Sequence, residues 1–346
     1  MSAPSKTTSL SRLTLSEWQD YVESHPESTT FHHRAWIELL MEQYGFALHL
    51  FGVKQAGQIT AAVPFLETKK PWGTKKLISL PFTDYMRVLA DDENSLRRLL
   101  DGLRDEPFER YRAVVLRTDR PLGLTAETGH WLRHEIPINL PFETITSRFS
   151  SSTRANIQKA KKRGLRFVQS SDADAMAAFY RLHLATRIKH GVPIQPKRFF
   201  TRFHERIIRP GLCYIALVTK NDHPISTAVN LTFNKTVIFK YLASDPRALS
   251  DRPNELLDSS VIRLANEQGY ETIDFGRSDS RNEGLSHYKR KWGAIENELS
   301  YEYLIGQPSP PPADEPLSER IASSVIRRSP AFVCRSLGEV LYKYSQ

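Results

Sequence analysis

One order of segments occurs twice in this chain: two helical stretches, three strands joined by tight turns, a helix, and a closing strand. In the first round Ser16 is placed to cap a short helix through Val22, with Glu17 in its first turn. Phe31-His32-His33-Arg34-Ala35-Trp36 opens a second helix to about Tyr44, ended by Gly45. Residues 49–53 and 59–66 read as strands joined by the Ala56-Gly57 turn, 76–80 as a third strand, 94–103 as a helix and 113–116 as a strand.

The second round has a strand starting at Phe167-Val168, helices over 172–189 and 196–208, and strands over 213–219, 224–233 and 237–243. Asn221-Asp222 and Asn234-Lys235 supply the turns. A helix over about 253–268 carries Leu257, Val261, Leu264 and Ala265 as its apolar stripe and ends at Gly269. At 346 residues each round is long enough to bury its own core. The repeat is one of element order, not of sequence identity. It sets the class as α/β (α+β), with two similar domains.

The second round closes on Tyr270–Ala294, YETIDFGRSDSRNEGLSHYKRKWGA. Residues 272–275 form a short apolar strand with Asp274 facing away from Ile273 and Phe275, and Gly276 lets the backbone turn. A polar loop, 277–283, leads into a helix holding Leu285, Tyr288, Lys289 and Trp292. Asp274, Arg277 and Ser278 therefore stand at a strand end, where open α/β sheets place ligands. A capped strand–loop–helix connection with solvated charges fits the same pattern.

FGRS followed by Asn-Glu-Gly-Leu and YKRKWGA resembles the closing motif of the Fem-type (FemAB-like) peptidyltransferases and their CelD-like relatives. That family joins two domains of the Gcn5-related N-acetyltransferase (GNAT) fold. The resemblance implies two tandem GNAT-like domains, each a mixed central sheet flanked by helices, over 12–145 and 146–306. Residues 1–11 would be disordered, and 307–346 a Pro-rich spacer with a basic amphipathic segment. Family members move an amino acid from aminoacyl-tRNA to a cell-wall precursor, and others are linked to exopolysaccharide synthesis. By the same resemblance Lys289 is catalytic, stabilising charge at the donor ester, with Tyr288 stacking beside it. From the strand end and the short loop after it, Asp274 and Arg277 are expected to meet Lys289 at one concave catalytic site, with Ser278 and Tyr241 as substrate-binding candidates. Thr83-Asp84-Tyr85 matches a family step after the third strand, so Asp84 and Tyr85 are substrate-binding candidates; Asp84 also suits a turn cap.

Leu-His, Thr-Arg and Gly-x-Pro-x-x-Pro steps in FYRLHLATRIKHGVPIQPKRFF match another family segment. His183, Thr186, Arg187 and His190 share one helix face there, which is a polar surface or the wall of a substrate pocket. Net charge is +9, which favours an anionic partner without choosing among nucleic acid, phosphorylated substrate and membrane. Seven Lys or Arg and no acid lie from Arg148 to Arg166, and Arg154, Gln158 and Lys161 share a helix face. Arg154, Lys159, Lys161 and Lys162 are the anion-binding candidates.

GNAT enzymes that use acyl-CoA cradle its pyrophosphate on a glycine-rich loop opening a helix. No glycine lies between Gly211 and Gly269, and the loop 244–253 carries acids, arginines and prolines instead. Acids there repel a pyrophosphate. That departure favours a larger, RNA-linked or otherwise unusual acyl donor over free acetyl-CoA; with the resemblance, the donor is expected to be aminoacyl-tRNA or acyl-CoA, with no tightly bound cofactor. By the resemblance, the expected acceptor is an amine of a cell-envelope (peptidoglycan or exopolysaccharide) precursor. An acyl-CoA N-acetyltransferase with a degenerate loop, and a non-catalytic RNA- or glycan-binding protein, remain open. Cys213 and Cys334 are far apart, and His32-His33 lacks a third ligand at useful spacing, so no metal is expected. No stretch reaches membrane-span length and MSAPSKTTSL has no apolar signal core, so a cytoplasmic protein is expected. The tail, with Ile321, Val325, Val333, Leu337, Val340 and Leu341 among arginines, either packs on the second domain or contacts a membrane peripherally.

Overall fold

The computed structural model describes residues 10–69, 73–127, 130–307 and 317–344. Two compact units result: one runs up to Trp131 and takes back a later segment from Glu298, the other runs Leu132–Asn297 and includes the described tail. The division expected after residue 145 lies earlier because Trp131–Pro137 is a strand of the second sheet.

The first unit contains β1 (Leu10–Arg12), α1 (Leu15–Ser24), α2 (Arg34–Tyr44), β2 (Ala47–Gln55), β3 (Gln58–Lys69) and β4 (Lys75–Ile78). It continues with β5 (Leu89–Ala90), α3 (Glu93–Arg104), β6 (Ala113–Thr118) and β7 (Thr125–Glu127). Thr14, not Ser16, caps α1: its hydroxyl accepts the Glu17 N–H at 3.2 Å and the Glu17 carboxylate accepts the Thr14 N–H at 2.8 Å. A capping box needs its acid three residues into the helix, which puts Ser16 inside it. α2 starts at Arg34 because the His33 ring accepts the Ala35 N–H at 3.1 Å. Of the residues expected to be disordered, 1–9 lie outside the described ones, whereas Leu10 pairs opposite Val53 of β2. Ala56 and Gly57, both at positive φ, make the two-residue turn from β2 to β3.

The second unit opens with β8 (Trp131–Pro137), α4 (Phe142–Ser147), α5 (Ser151–Lys162), β9 (Arg166–Ser170), α6 (Ala173–His190) and α7 (Lys197–Phe203). Then come β10 (Cys213–Lys220), β11 (His223–Phe233), β12 (Thr236–Ser244), α8 (Pro253–Glu267), β13 (Thr272–Asp279), α9 (Glu283–Arg290) and β14 (Ile295–Glu298). β15 (Ser300–Ile305) returns to the first unit, and α10 (Leu317–Arg328) and α11 (Ala331–Leu341) form the tail. Among the described residues the first sheet is ordered β1-β2-β3-β4-β6-β15-β7 with β5 on β3, and the second β14-β8-β13-β12-β11-β10-β9.

β12 and β13 run parallel but pair only from Thr236 opposite Thr272 to Ile238 opposite Asp274. Both strands continue, to Ser244 and Asp279, so they part beyond Asp274 and leave a fork in the sheet. A register shift between Val229 and Asn230 against β12 falls beside this fork, where a bulge adds local twist. Ile273 and Phe275 of β13, Val237 and Phe239 of β12, Leu257 and Val261 of α8, Ile157 of α5 and Trp292 share one buried core. No described helix is long and apolar enough to cross a membrane.

The tail packs on the second unit. The Lys197 N–H donates to Glu339 Oε1 at 3.2 Å, and Arg335 lies 5.9 Å from the centre of the Tyr180 ring. Among its described residues Ser323, Ile326, Cys334 and Gly338 are buried, while Val325 and Val340 of the expected stripe are exposed. The Pro-rich spacer at 308–312 lies outside the described residues. Gly338 carries the docking of α11, since a Cβ there would stand 1.9 Å from the Ile194 carbonyl oxygen. Gly338→Ala should cost about 1–3 kcal/mol by overpacking. Thermal unfolding and limited proteolysis check it: an unchanged melting temperature with an equally protected tail contradicts this docking.

Candidate active site

Asp274 has no solvent exposure. Arg133 Nε of β8 donates to its Oδ2 at 2.9 Å, and the Gly276 N–H donates to its Oδ1 at 2.7 Å. Gly276 stands at φ +67, a conformation glycine adopts without strain. It bends the strand without ending it, so β13 runs on to Asp279 and Arg277 and Ser278 belong to the strand, not to the expected loop.

α9 begins at the Asn282 cap, whose side chain accepts the Leu285 N–H at 3.1 Å. It brings in Lys289, only 5% exposed. Lys289 Nζ donates to the Gly276 carbonyl at 2.8 Å and to Ser278 Oγ at 2.7 Å. Asp274 and Lys289 thus hold the N–H and the C=O of one residue at the mouth of the fork. Arg277 is half-buried in the same strand. Arg133 escaped sequence reasoning because only the sheet order makes β8 the neighbour of β13. The signal available was alternation, with Arg133 and Glu135 on one side and His134 and Ile136 on the other.

Tyr288, expected to stack beside a donor, donates its hydroxyl to Asp258 Oδ2 of α8 at 2.5 Å. Asp258 is fully buried; desolvation pushes its pKa up to about 7, with the Tyr288 hydrogen bond opposing. His134, also fully buried, lies 2.9 Å from Glu296 Oε2. Burial first, then the charge of Lys289, lowers its pKa, so it is neutral at pH 7.

The α6 candidates divide. His183 and Tyr241 come together, ring centres 5.4 Å apart, in an aromatic cluster with Phe179 and Phe200. His183 is buried, its pKa pushed down to about 3 by desolvation, and its Nε2 is 3.2 Å from Gln195 Oε1. Arg187 is taken up in clamping the following turn, donating to the Pro193 carbonyl at 2.7 and 3.0 Å, and Thr186 bonds the Leu182 carbonyl at 3.0 Å. Asp84 and Tyr85 belong to the first unit, where Tyr85 is buried edge-on to Phe31 and Thr83 accepts the Trp36 indole N–H at 2.9 Å. Arg154, Lys159, Lys161 and Lys162 are exposed on α5; Arg154 and Lys161 line a cavity, and Lys159 and Lys162 do not.

The loop between β12 and α8 makes a short helical turn, Pro246–Asp251, capped by Asp245. Lys220 binds Asp251 at 2.5 Å. Glu255, in the first turn of α8, accepts from Asn156 at 2.9 Å. No side chain caps α8, but Glu255 in its first turn and Asp251 just before it put negative charge beside the helix N-terminus, which disfavours a phosphate there.

Asp258 has a pH signature. Its native pKa of about 7 exceeds its ordinary 3.8, so the unfolded chain loses this proton first and stability falls as pH rises between those values. Asp258→Asn, which still accepts from Tyr288, should unfold at a higher temperature than the parent at pH 8 and lose that advantage near pH 3. Melting curves across pH test this; an Asn variant weaker by a constant amount at every pH contradicts it.

Residues 147–290 match the family model for an acetyltransferase (GNAT) domain. No curated protein matches the chain. Among solved structures, FemX superposes with a TM-score of 0.68 at 16% identity, covering 85% of this chain and 97% of that one. The C-terminal domain of a proposed lysylphosphatidylglycerol synthetase from Agrobacterium fabrum gives 0.57 at 13% identity, covering 93% and 96%. A tandem GNAT protein from the clavulanic acid biosynthesis pathway gives 0.50 at 9% identity, covering 85% and 97%. At such identities these likenesses show the fold. The chain has tandem GNAT-like folds, its second unit carries a GNAT acetyltransferase domain over residues 147–290, and it is an acyltransferase.

Proposed function

We propose that this chain transfers an aminoacyl group from an RNA ester to an amine of a cell-envelope or polysaccharide precursor, on the cytoplasmic side. The observation that carries the reading is the acidic approach to α8, with Asp245 and Asp251 in the preceding turn and Glu255 in the first helical turn, where acyl-CoA would place its pyrophosphate. The likeness of the closing motif to Fem-type transferases, and of the fold to FemX and to a lysylphosphatidylglycerol synthetase domain, supports the same direction.

In this reading the ester carbonyl lies at the β12–β13 fork. The acceptor amine forms the new C–N bond, the ester C–O bond breaks, and the departing ribose oxygen takes up a proton as the amine loses one. Lys289, pre-positioned by Gly276 and Ser278, stabilises the negative charge that develops on oxygen. Asp274 stays with Arg133 and serves to position the strand. No tightly bound cofactor enters the reaction. A second reading, acetyl transfer from acyl-CoA, is favoured by the family description of residues 147–290.

A donor screen separates the two: labelled acyl-CoA against charged tRNA, with envelope extract as acceptor. Transfer from charged tRNA is expected; transfer from acyl-CoA alone overturns the proposal. Free CoA at micromolar concentration should barely move the melting temperature, because weak binding stabilises little. Lys289→Ala should lower turnover on the order of 100-fold, with Lys289→Arg recovering part of it. Circular dichroism and melting curves show whether the fold is kept.

A further inference from the structure

A cavity of about 300 Å³ opens between α4, α5 and α8, sharing no lining residue with the fork. Three cations line it: Arg154 and Lys161 from α5, and Arg263 from α8, against one carboxylate, Glu143. Ser260 and Gln158 add donors, and Phe142 an aromatic wall. Arg263 is already placed, its guanidinium 4.0 Å from the centre of the Phe142 ring and 3.9 Å from Glu267 Oε1, an exposed pair one helical turn on. Arg154 is anchored through the Ser147 and Phe149 carbonyls. Two planar guanidiniums held in advance lose little freedom on binding, and their forked donors match a phosphate.

Two other cations of the basic run, Lys159 and Arg163, act on Asp251 instead. Lys220 first, then Arg163 and Lys159, hold the Asp251 carboxyl below its usual range. Lys159 and Lys162 stand outside the cavity. The basic run read from sequence as one surface is thus split, and only one part of it is concave.

We propose that this cavity seats a backbone phosphate of the RNA that carries the aminoacyl donor; the assignment rests on the RNA-donor reading above. A recessed site with hydroxyl, amide and aromatic walls suits a phosphodiester presented singly by a nucleic-acid strand. A membrane surface presents its phosphates in a plane that such a recess does not meet.

Two charge-matched double variants test it: Lys161→Ala with Arg263→Ala inside the cavity, and Lys159→Ala with Lys162→Ala outside. The readout is binding of uncharged tRNA by fluorescence anisotropy across a salt series, with melting temperatures checked. The inner pair should weaken binding at least tenfold and flatten the salt slope by about 1 for the lost phosphate contact. The outer pair should stay near the parent. Equal losses from both pairs mean a diffuse basic field and overturn the cavity assignment, leaving the donor reading standing. No tRNA binding by the parent chain, with transfer from acyl-CoA in the donor screen, removes the donor reading itself. Binding of phosphatidylglycerol vesicles that depends on the inner pair, with tRNA binding that does not, also overturns the proposal in favour of a lipid phosphate.

Discussion

A carboxylate with no access to water has to be met by donors, and those that meet Asp274 include the Arg133 guanidinium and the Gly276 N–H. Removing one partner of such a buried pair costs about 3–5 kcal/mol. The layout of the second unit follows from satisfying it. Arg133 requires β8 to lie beside β13, so the chain enters the second sheet at Trp131, well ahead of the basic helix that looks like its natural start. Gly276 must turn its N–H back on Asp274, and its positive φ bends β13 away beyond its last pairing with β12. The fork and the buried carboxylate are one feature.

The same bend presents the Gly276 carbonyl to α9, where Lys289 takes it together with Ser278. A lysine so held is a fixed positive charge beside the Gly276 bend, whereas a surface lysine is mobile; the proposed transfer reaction uses that fixed charge. Tyr288, one residue earlier on α9, is fastened to Asp258 on α8, so the helix carrying Lys289 is tied to the core on one side and to the strand on the other. Asp251 and Glu255 put negative charge beside the N-terminus of α8, which disfavours a pyrophosphate there.

Much of this was legible in the sequence. The order of elements, the turns at Ala56-Gly57 and Asn234-Lys235, and the apolar stripe of α8 follow from periodicity and turn chemistry, which are local. Asp274, Lys289 and Ser278 also appear in the closing motif, and they lie within one hydrogen-bond network. What stayed hidden is non-local. Arg133 is remote in sequence from the carboxylate it holds, and β15 leaves the end of the second unit to pair with β6 of the first sheet. Tyr288 reads as a free aromatic until Asp258 is found opposite its hydroxyl. Arg263 becomes a partner of Arg154 and Lys161 only once α5 and α8 are packed. On α6 a polar face at helical spacing did not distinguish a ligand wall from a clamp, and Arg187 is held on the Pro193 carbonyl.

The central claim is that the β12–β13 fork, with Lys289 at its mouth, receives the acyl donor. The most direct measurement is a crystal structure with a non-hydrolysable 3′-aminoacylamido adenosine bound. The amide carbonyl oxygen is expected within hydrogen-bond reach of Lys289 Nζ, between the diverging ends of β12 and β13. An analogue bound elsewhere, with Lys289 still closed on Gly276 and Ser278 and the fork filled by side chains, would contradict it.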